Sequence, residues 1–590
     1  MRLKHQKKII ICFLFAINLI LSSTFIIYIN YWYCYLFILA LASYINASSC
    51  ILNIGHKLLY KTENPERTLP QNYIYVMPCY NETSAELEQT LNSLVAQRMH
   101  LGDKRAIFII CDGMRYANNN ICDISLKELL HLTDSLPKIY TYPTWDKKQN
   151  SVELHLSEYT HQGITLPVIL LIKTLNYGKR DSLVLAREVC FQYNEAILPE
   201  AATLPMAETE LQNAILNALD FIYSREKIKY MIGIDADTVF DYHCSNELIQ
   251  AIDTEANDIY GCVGFVDISP ASNFASPFIL YQYAEYMFSQ CLRRQTQSLI
   301  TQKVSCLSGC VQILRIAEET CGKKILGVFN YLPAKDESIF NHIRSYASED
   351  RNHVCNMLSL FPYVKTTQSL KAVAYTSVPT SLAVFLSQRR RWSLGANAND
   401  MLLVGLPGIL LVERISAFVN VMTYSLSPFI FIATALFVKS IIENPTLLML
   451  FLSIVLFIPF AYALIIVPLF IKPLSWRAGV YYYFAFAFFI VSASLVNLII
   501  YSYSILQMDV ISWGKTRALK SPTSGPSRND DDDTIVYMYE EPISMYIEDD
   551  AYIEIQETSI ASEGPGPASE GFGPKTEGFG PKTEEEYVVV

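Results

Sequence analysis

Two carboxylates one residue apart, Asp235 and Asp237, stand just past the apolar run 230–234. Acids at that spacing beyond a buried strand can share a Mg2+ or Mn2+ ion and, through it, a diphosphate. A further acid, Asp350, lies in Ser348-Glu349-Asp350-Arg351. It could take a proton from an attacking hydroxyl, although an ion pair with Arg351 is a competing role. Gln388-Arg389-Arg390-Arg391-Trp392 sets three arginines beside a tryptophan ahead of an apolar stretch. One arginine can clamp a diphosphate with paired hydrogen bonds, and a tryptophan can stack on a sugar ring. A basic anchor for anionic lipid would account for the arginines but not for Gln388 and Trp392.

Upstream, Gly178-Lys179-Arg180-Asp181 offers a close backbone approach and two cations suited to phosphate; a basic surface turn competes. Glu82 and Asp112 follow the apolar runs 73–77 and 106–111. Carboxylates just beyond strand ends sit at the ligand crevice of an α/β sheet and could bond uracil or ribose; Asp112 could equally cap a turn. A nucleotide pocket, a metal for diphosphate, a base and an acceptor platform are what sugar transfer from a nucleotide diphosphate requires.

These residues need a scaffold of strands. Runs of strand length recur at 73–77, 106–111, 166–172, 230–234 and 259–266, with a helical pattern at 84–98. The alternation predicts an α/β domain over 65–395 with a mostly parallel sheet. Residues 115–160 fit it poorly and read as an insertion.

Hydrophobic residues make up 51% of the 590 and charged residues 17%. The excess is in blocks, which implies a lipid bilayer. Residues 9–29 and 31–54 predict two transmembrane helices within 1–60. Arg2, Lys4, Lys7 and Lys8 before them, and Lys57 and Lys61 after, place both flanks and the domain in the cytosol. The region 397–520 should hold an interfacial stretch at 397–412 and apolar blocks at 415–438, 446–471 and 478–507. The polar, acidic tail 521–590 reads as disordered. The net charge of −11 does not favour nucleic acid. Fourteen cysteines without a CxxC pair read as free buried thiols, and Cys306 and Cys310 lack the partners of a zinc site.

The ordered series PCYNE, CDG, GKRDS, DAD, EDR, QRRRW resembles family 2 glycosyltransferases, and QRRRW resembles chitin synthases in particular. Ser512-Trp513-Gly514-Lys515-Thr516-Arg517 resembles the segment that follows the membrane helices in that family. The resemblance covers about residues 70–520 and implies a GT-A-like cytosolic domain flanked by transmembrane helices. It implies processive, inverting transfer of N-acetylglucosamine from UDP-GlcNAc to a β-1,4 chitin chain threaded through the protein's own helices. Glu82 and Asp112 would face uridine, and Lys179, Arg180 and Asp181 the donor pocket. Asp237 would bind Mg2+ or Mn2+ with Asp235 nearby, and Asp350 would be the base. Gln388, Arg391 and Trp392 would hold diphosphate and acceptor, and Trp513 and Arg517 would close over the donor. A hyaluronan synthase-like polymerase, which would also need UDP-glucuronate, is the alternative. A homodimer is an open expectation. The family's Leu-Pro-Gly near the acceptor reads Leu307-Ser308-Gly309 here, so the backbone restriction of proline is lost. Cytosolic Trp513 and Arg517 require an even number of crossings after residue 392, whereas three apolar blocks follow it.

Overall fold

Alternate side chains of strand β1 (Asn72–Cys79) go to opposite cores, as a pleat demands. Tyr73, Tyr75, Met77 and Cys79 pack with Leu87, Leu91 and Leu94 of the helix Ser84–Val95. Ile74 and Val76 pack on the other side with Leu183 and Val189 of the helix Gly178–Ala196 and Leu211, Ile215 and Leu219 of Glu210–Tyr223. A strand covered on both faces needs an unbroken apolar run, which is what the sequence carries. Thr83 starts the first of these helices with a capping box, its hydroxyl accepting from the Glu86 N–H while Glu86 accepts from the Thr83 N–H.

The structure, a computed structural model, describes residues 3–28, 35–60, 67, 69–114, 121–132, 137–197, 209–253, 258–269, 275–443 and 445–510. The remaining strands are β2 (Lys104–Cys111), β3 (Lys138–Pro143), β4 (Gln149–His161), β5 (Ile164–Lys173), β6 (Tyr230–Gly233), β7 (Thr238–Phe240), β8 (Ile259–Ile268), β9 (Gln312–Arg315) and β10 (Lys365–Thr376). They form one sheet in the order β3-β4-β5-β2-β1-β6-β9-β8-β10-β7. All five anticipated runs are strands.

The mostly parallel sheet expected from the alternation is in fact mixed. Four pairings are parallel and five antiparallel. The block β5-β2-β1-β6 is wholly parallel. Antiparallel pairing enters where no crossover helix intervenes. Gln162 and Gly163, both at positive φ, turn β4 directly back into β5, and the short β9 runs against both β6 and β8. The segment read as an insertion therefore supplies the sheet's outer edge.

Three described helical stretches are long and apolar enough to cross a bilayer: Leu3–Ile27, Leu447–Ile471 and Trp476–Leu506. A fourth candidate is the pair Leu411–Ser425 and Ser427–Glu443, bent by 80° at its junction. Asn18 of the first helix bridges that break: its amide N–H donates to Ser425 O at 2.9 Å and its Oδ1 accepts from the Phe429 N–H at 3.0 Å. Backbone groups freed by such a break need internal partners where water is absent. The stretch 447–471 stays helical through Pro459 and Pro468, with Tyr462–Ile471 wound as a π-helix. Residues 397–405 do not begin a separate interfacial helix. They continue the helix Leu382–Gly405, with Ala398, Asn399, Asp400 and Leu403 buried in the domain.

Candidate active site

Because β5, β2, β1 and β6 run the same way, their C-terminal ends form one row. Lys173, Asp112, Glu82 and Asp235 emerge from that row in spatial order. Across it, Lys179 extends from the start of the helix Gly178–Ala196 and gathers three acids. Its ammonium is 2.7 Å from Asp235 Oδ1 and 3.8 Å from both Glu349 Oε1 and Asp350 Oδ2. Burial pulls this ammonium down, but Asp235, Asp350 and Glu349 together hold it well above its ordinary value. Gly178, at φ 81°, provides the turn from which Lys179 departs, and Asn176 Oδ1 accepts its N–H at 2.8 Å.

Asp350 occupies the first turn of the helix Glu349–Leu360. Its Oδ2 accepts from the Gly309 N–H at 2.9 Å. Its Oδ1 is buried without a hydrogen-bond partner. Burial, with Glu349 and Asp235 adding and Lys179 opposing, pushes this carboxyl up to about 6. Gly309 fits because it has no side chain: a Cβ there would lie 2.5 Å from Lys179 Nζ and 2.6 Å from Asp350 Oδ2. Gly309 is thus a spacing element between the Lys179 ammonium and the Asp350 carboxyl. Arg351, which could have paired with Asp350, instead meets Asp400 of the helix Leu382–Gly405 at 2.5 Å.

The neighbours of Lys179 point elsewhere. Arg180 donates to the backbone oxygens of Phe329 and Arg344 and lies over the Phe329 ring at 4.6 Å. Asp181 accepts from the Tyr142 hydroxyl at 2.6 Å and the Trp145 N–H at 2.8 Å, and pairs with Lys173 at 2.7 Å. Asp112 accepts from the Tyr177 N–H at 3.0 Å and lies 3.4 Å from the same Lys173. Burial and Asp181 raise the Asp112 carboxyl against the pull of Lys173. Of GKRD, therefore, Lys179 alone reaches the acidic cluster, while Arg180 and Asp181 brace its helix. Lys173, missed in the sequence, is the buried cation of that brace. Its signal was an apolar run ending abruptly in lysine.

Glu82 accepts from the Tyr80 N–H at 2.7 Å. Burial, then Cys122 and Asp237, push its carboxyl up to about 8, which sets Glu82 and Asp237 within electrostatic reach of one another. Asp235, Asp237, Glu349 and Asp350 offer only carboxylate oxygens, the donors that suit a hard divalent cation.

In QRRRW, Arg391 is buried and feels Glu349 and Asp235, which offset part of the lowering that burial causes. Trp392 is 44% exposed, with the Arg389 guanidinium 4.3 Å from its ring centre. Arg389, bonded to Gln388 and paired with Glu285, fixes both flanks of the motif. Gly395, one turn on, lets this helix approach Ser348: a Cβ there would stand 2.5 Å from Ser348 Cβ. Trp513 and Arg517 lie outside the described residues.

A family model described as chitin synthase matches residues 169–542. Chitin synthase 8 of Gibberella zeae is 32% identical over 509 residues, covering 83% of this chain and 74% of that one. Chitin synthase 8 of Verticillium dahliae is also 32% identical, over 444 residues, with 68% and 70% covered. A solved mannosyltransferase from Pyrobaculum calidifontis, in complex with GDP-Man and Mn2+, is 11% identical with a TM-score of 0.37, covering 79% of this chain and 99% of its own. A family match over more than half the chain, together with relatives alike over most of their length, makes this protein a member of the chitin synthase family.

Proposed function

We propose that the protein transfers N-acetylglucosamine from UDP-GlcNAc to the growing end of a β-1,4 chain and moves that chain through its own membrane helices. The observation that carries the reading is Asp350, a carboxylate with one oxygen fixed by Gly309 and the other buried without a hydrogen-bond partner. Its Oδ1 takes the proton of the attacking sugar hydroxyl as the new bond to the anomeric carbon forms. The bond from that carbon to the UDP oxygen breaks on the opposite side, and its electron pair leaves with UDP, inverting the centre. Arg391 bonds the diphosphate, Trp392 and Gln388 support the acceptor, and Glu82 and Asp112 flank the nucleotide. Asp237, with Asp235 beside it, would hold Mg2+ or Mn2+; when bound, the ion neutralises charge on the departing diphosphate. Arg180 and Asp181 serve the donor pocket by holding Lys179 in place. Trp513 and Arg517 close over the donor from the same side of the membrane.

That placement is supported by contacts at both ends of the helix Trp476–Leu506. Lys472, just before it, donates to Leu370 O of β10 at 2.9 Å. At its other end, Ser504 Oγ lies 3.0 Å from Ser393 Oγ, and Asp509 pairs with Lys7 at 2.6 Å. Contacts with the domain at both ends support a reading in which this helix returns the chain to the side it started from. Two crossings, 411–443 and 447–471, then remain after QRRRW. The domain 65–395 then faces the cytosol together with the end of the helix Trp476–Leu506.

Incubation of membranes containing the protein with labelled UDP-GlcNAc alone tests the reading. An insoluble product digested by chitinase is expected. A requirement for UDP-glucuronate would move the protein to the hyaluronan class.

A further inference from the structure

Cys79 closes β1 and Cys111 closes β2, and the two are register partners across a parallel pair. Their side chains consequently leave the sheet on one face. Cys122, the first residue of the helix Cys122–Leu129, comes over the same face. The three sulfur atoms lie within 4.8 Å of one another, and all three residues are buried. Glu82 Oε2 is 3.9 Å from Cys122 Sγ and is aimed by the Tyr80 N–H at 2.7 Å. Three sulfurs and one oriented carboxylate oxygen are thus drawn from four separate points of the chain. A tetrahedral zinc ion, with Zn–S bonds of about 2.3 Å, places sulfurs about 3.8 Å apart, a closure within reach of side-chain rotation.

The geometry points to a structural zinc site of Cys79, Cys111, Cys122 and Glu82, distinct from the oxygen-lined cluster around Asp235 and Asp350. A single buried thiol packs as a small apolar group, but three that meet beside an oriented carboxylate oxygen also make a metal-donor set. Thiolates select a zinc-class ion over Mg2+ or Mn2+, so the two sites would not exchange metals. On binding, the three thiols and the Glu82 carboxyl release their protons to solvent and bind as three thiolates and one carboxylate. The thiols' contacts with Ile110 O and Gly113 O are given up. The ion would tie the ends of β1 and β2 to the helix behind them and fix Glu82 and Asp112, the latter adjacent to Cys111. It reads as a clamp beneath the nucleotide side of the pocket, independent of which sugar is transferred.

Elemental analysis of the full-length protein purified in detergent, without added metal, provides the test. About one zinc per chain is expected, and growth in cobalt should yield protein with the intense thiolate-to-cobalt charge-transfer absorption. Cys79→Ser, Cys111→Ser and Cys122→Ser should each lower zinc at least tenfold, whereas Cys12→Ala, at an exposed position in the first helix, should keep it. Where a serine variant fails to fold, the zinc content and cobalt spectrum of the wild type still decide. Folded wild type lacking both zinc and the cobalt–thiolate band, or containing a disulfide between any two of these cysteines, overturns the assignment. So does retention of zinc in folded Cys79→Ser, Cys111→Ser and Cys122→Ser.

Discussion

Asp350, proposed above as the base, faces the Lys179 ammonium at 3.8 Å, while the guanidinium of its neighbour Arg351 goes to Asp400. For Asp350, the raised value means that the charged form is the one the fold disfavours: the carboxyl titrates near 6 instead of 3.8. The sign follows directly. As pH falls through about 6, Asp350 gains a proton and turnover should decline by about tenfold per unit below that point. A rate profile of the membrane enzyme, corrected for UDP-GlcNAc saturation, checks it; an acid limb centred near 4 would contradict it. The same shift predicts an effect on stability. A carboxyl raised in the fold contributes stability below its unfolded value that is lost as pH rises through about 6. Asp350→Asn should therefore lower turnover roughly 100- to 10,000-fold while UDP binding is retained. At pH 8 it should leave the thermal midpoint unchanged or raised. Gly309→Ala probes the same point from the other side. Its methyl would press between Lys179 and Asp350, so turnover should fall by at least about tenfold with little change in UDP affinity. Equal loss of both would show that Gly309 matters only for folding.

Asp350 and Arg391, proposed as base and diphosphate clamp, ride on different helices, Glu349–Leu360 and Leu382–Gly405, and their spacing is set by Arg351–Asp400 and by Gly395 against Ser348. Removing one member of a buried pair leaves the other charge stranded, at a cost of about 3–5 kcal/mol. Arg351→Met should thus lower the thermal midpoint sharply, and Arg351→Met with Asp400→Leu should recover part of the loss. A double variant no better than the single would place the effect elsewhere. At this scale the sequence was informative in one direction. Apolar runs of strand length end on Glu82, Asp112 and Asp235 because a strand buried on both faces must meet polar residues where it leaves the core. What could not be read is direction within a motif. Successive residues of a helix point about 100° apart, so Lys179 faces the acids while Arg180 reaches Phe329 and Asp181 reaches Lys173. Only tertiary neighbours decide which of the three meets the ligand. Nor does periodicity fix strand direction at short loops, which is why the antiparallel edge β3-β4 and the reversed β9 escaped the alternation argument.

Across the whole molecule, the membrane helices are layered by what they touch. Leu3 packs with Ile339, Ile343 and Leu394 of the domain, whereas Phe25, at the other end of that helix, packs with Phe429, Phe437, Met449 and Leu452. That helix of 25 residues spans about 37 Å, enough for the hydrocarbon layer, and in the proposed arrangement its two ends mark the two membrane faces. Ala417 packs with Leu403 and Cys355 of the domain, and the bent pair then runs to the Phe25 end; the stretch 447–471 starts at that end and returns to Lys472 on β10. The third apolar block is long enough to cross, yet it lies against the helix Pro277–Ser289, with Tyr283 meeting Tyr481 and Tyr281 meeting Phe489, before ending beside Ser393. Length and hydropathy count Trp476–Leu506 as a span, and only 17% of its most apolar window is buried in the protein, so the proposed even number of crossings rests on the contacts at its two ends. The consequence can be measured in sealed vesicles of known orientation with a membrane-impermeant maleimide. Pro445→Cys should label only from the face opposite the domain, and Ser475→Cys only from the domain's own face, each above the background of the unsubstituted protein. Labelling of Ser475→Cys from the opposite face would restore the third crossing. It would also separate Trp513 and Arg517 from the acids they are proposed to serve.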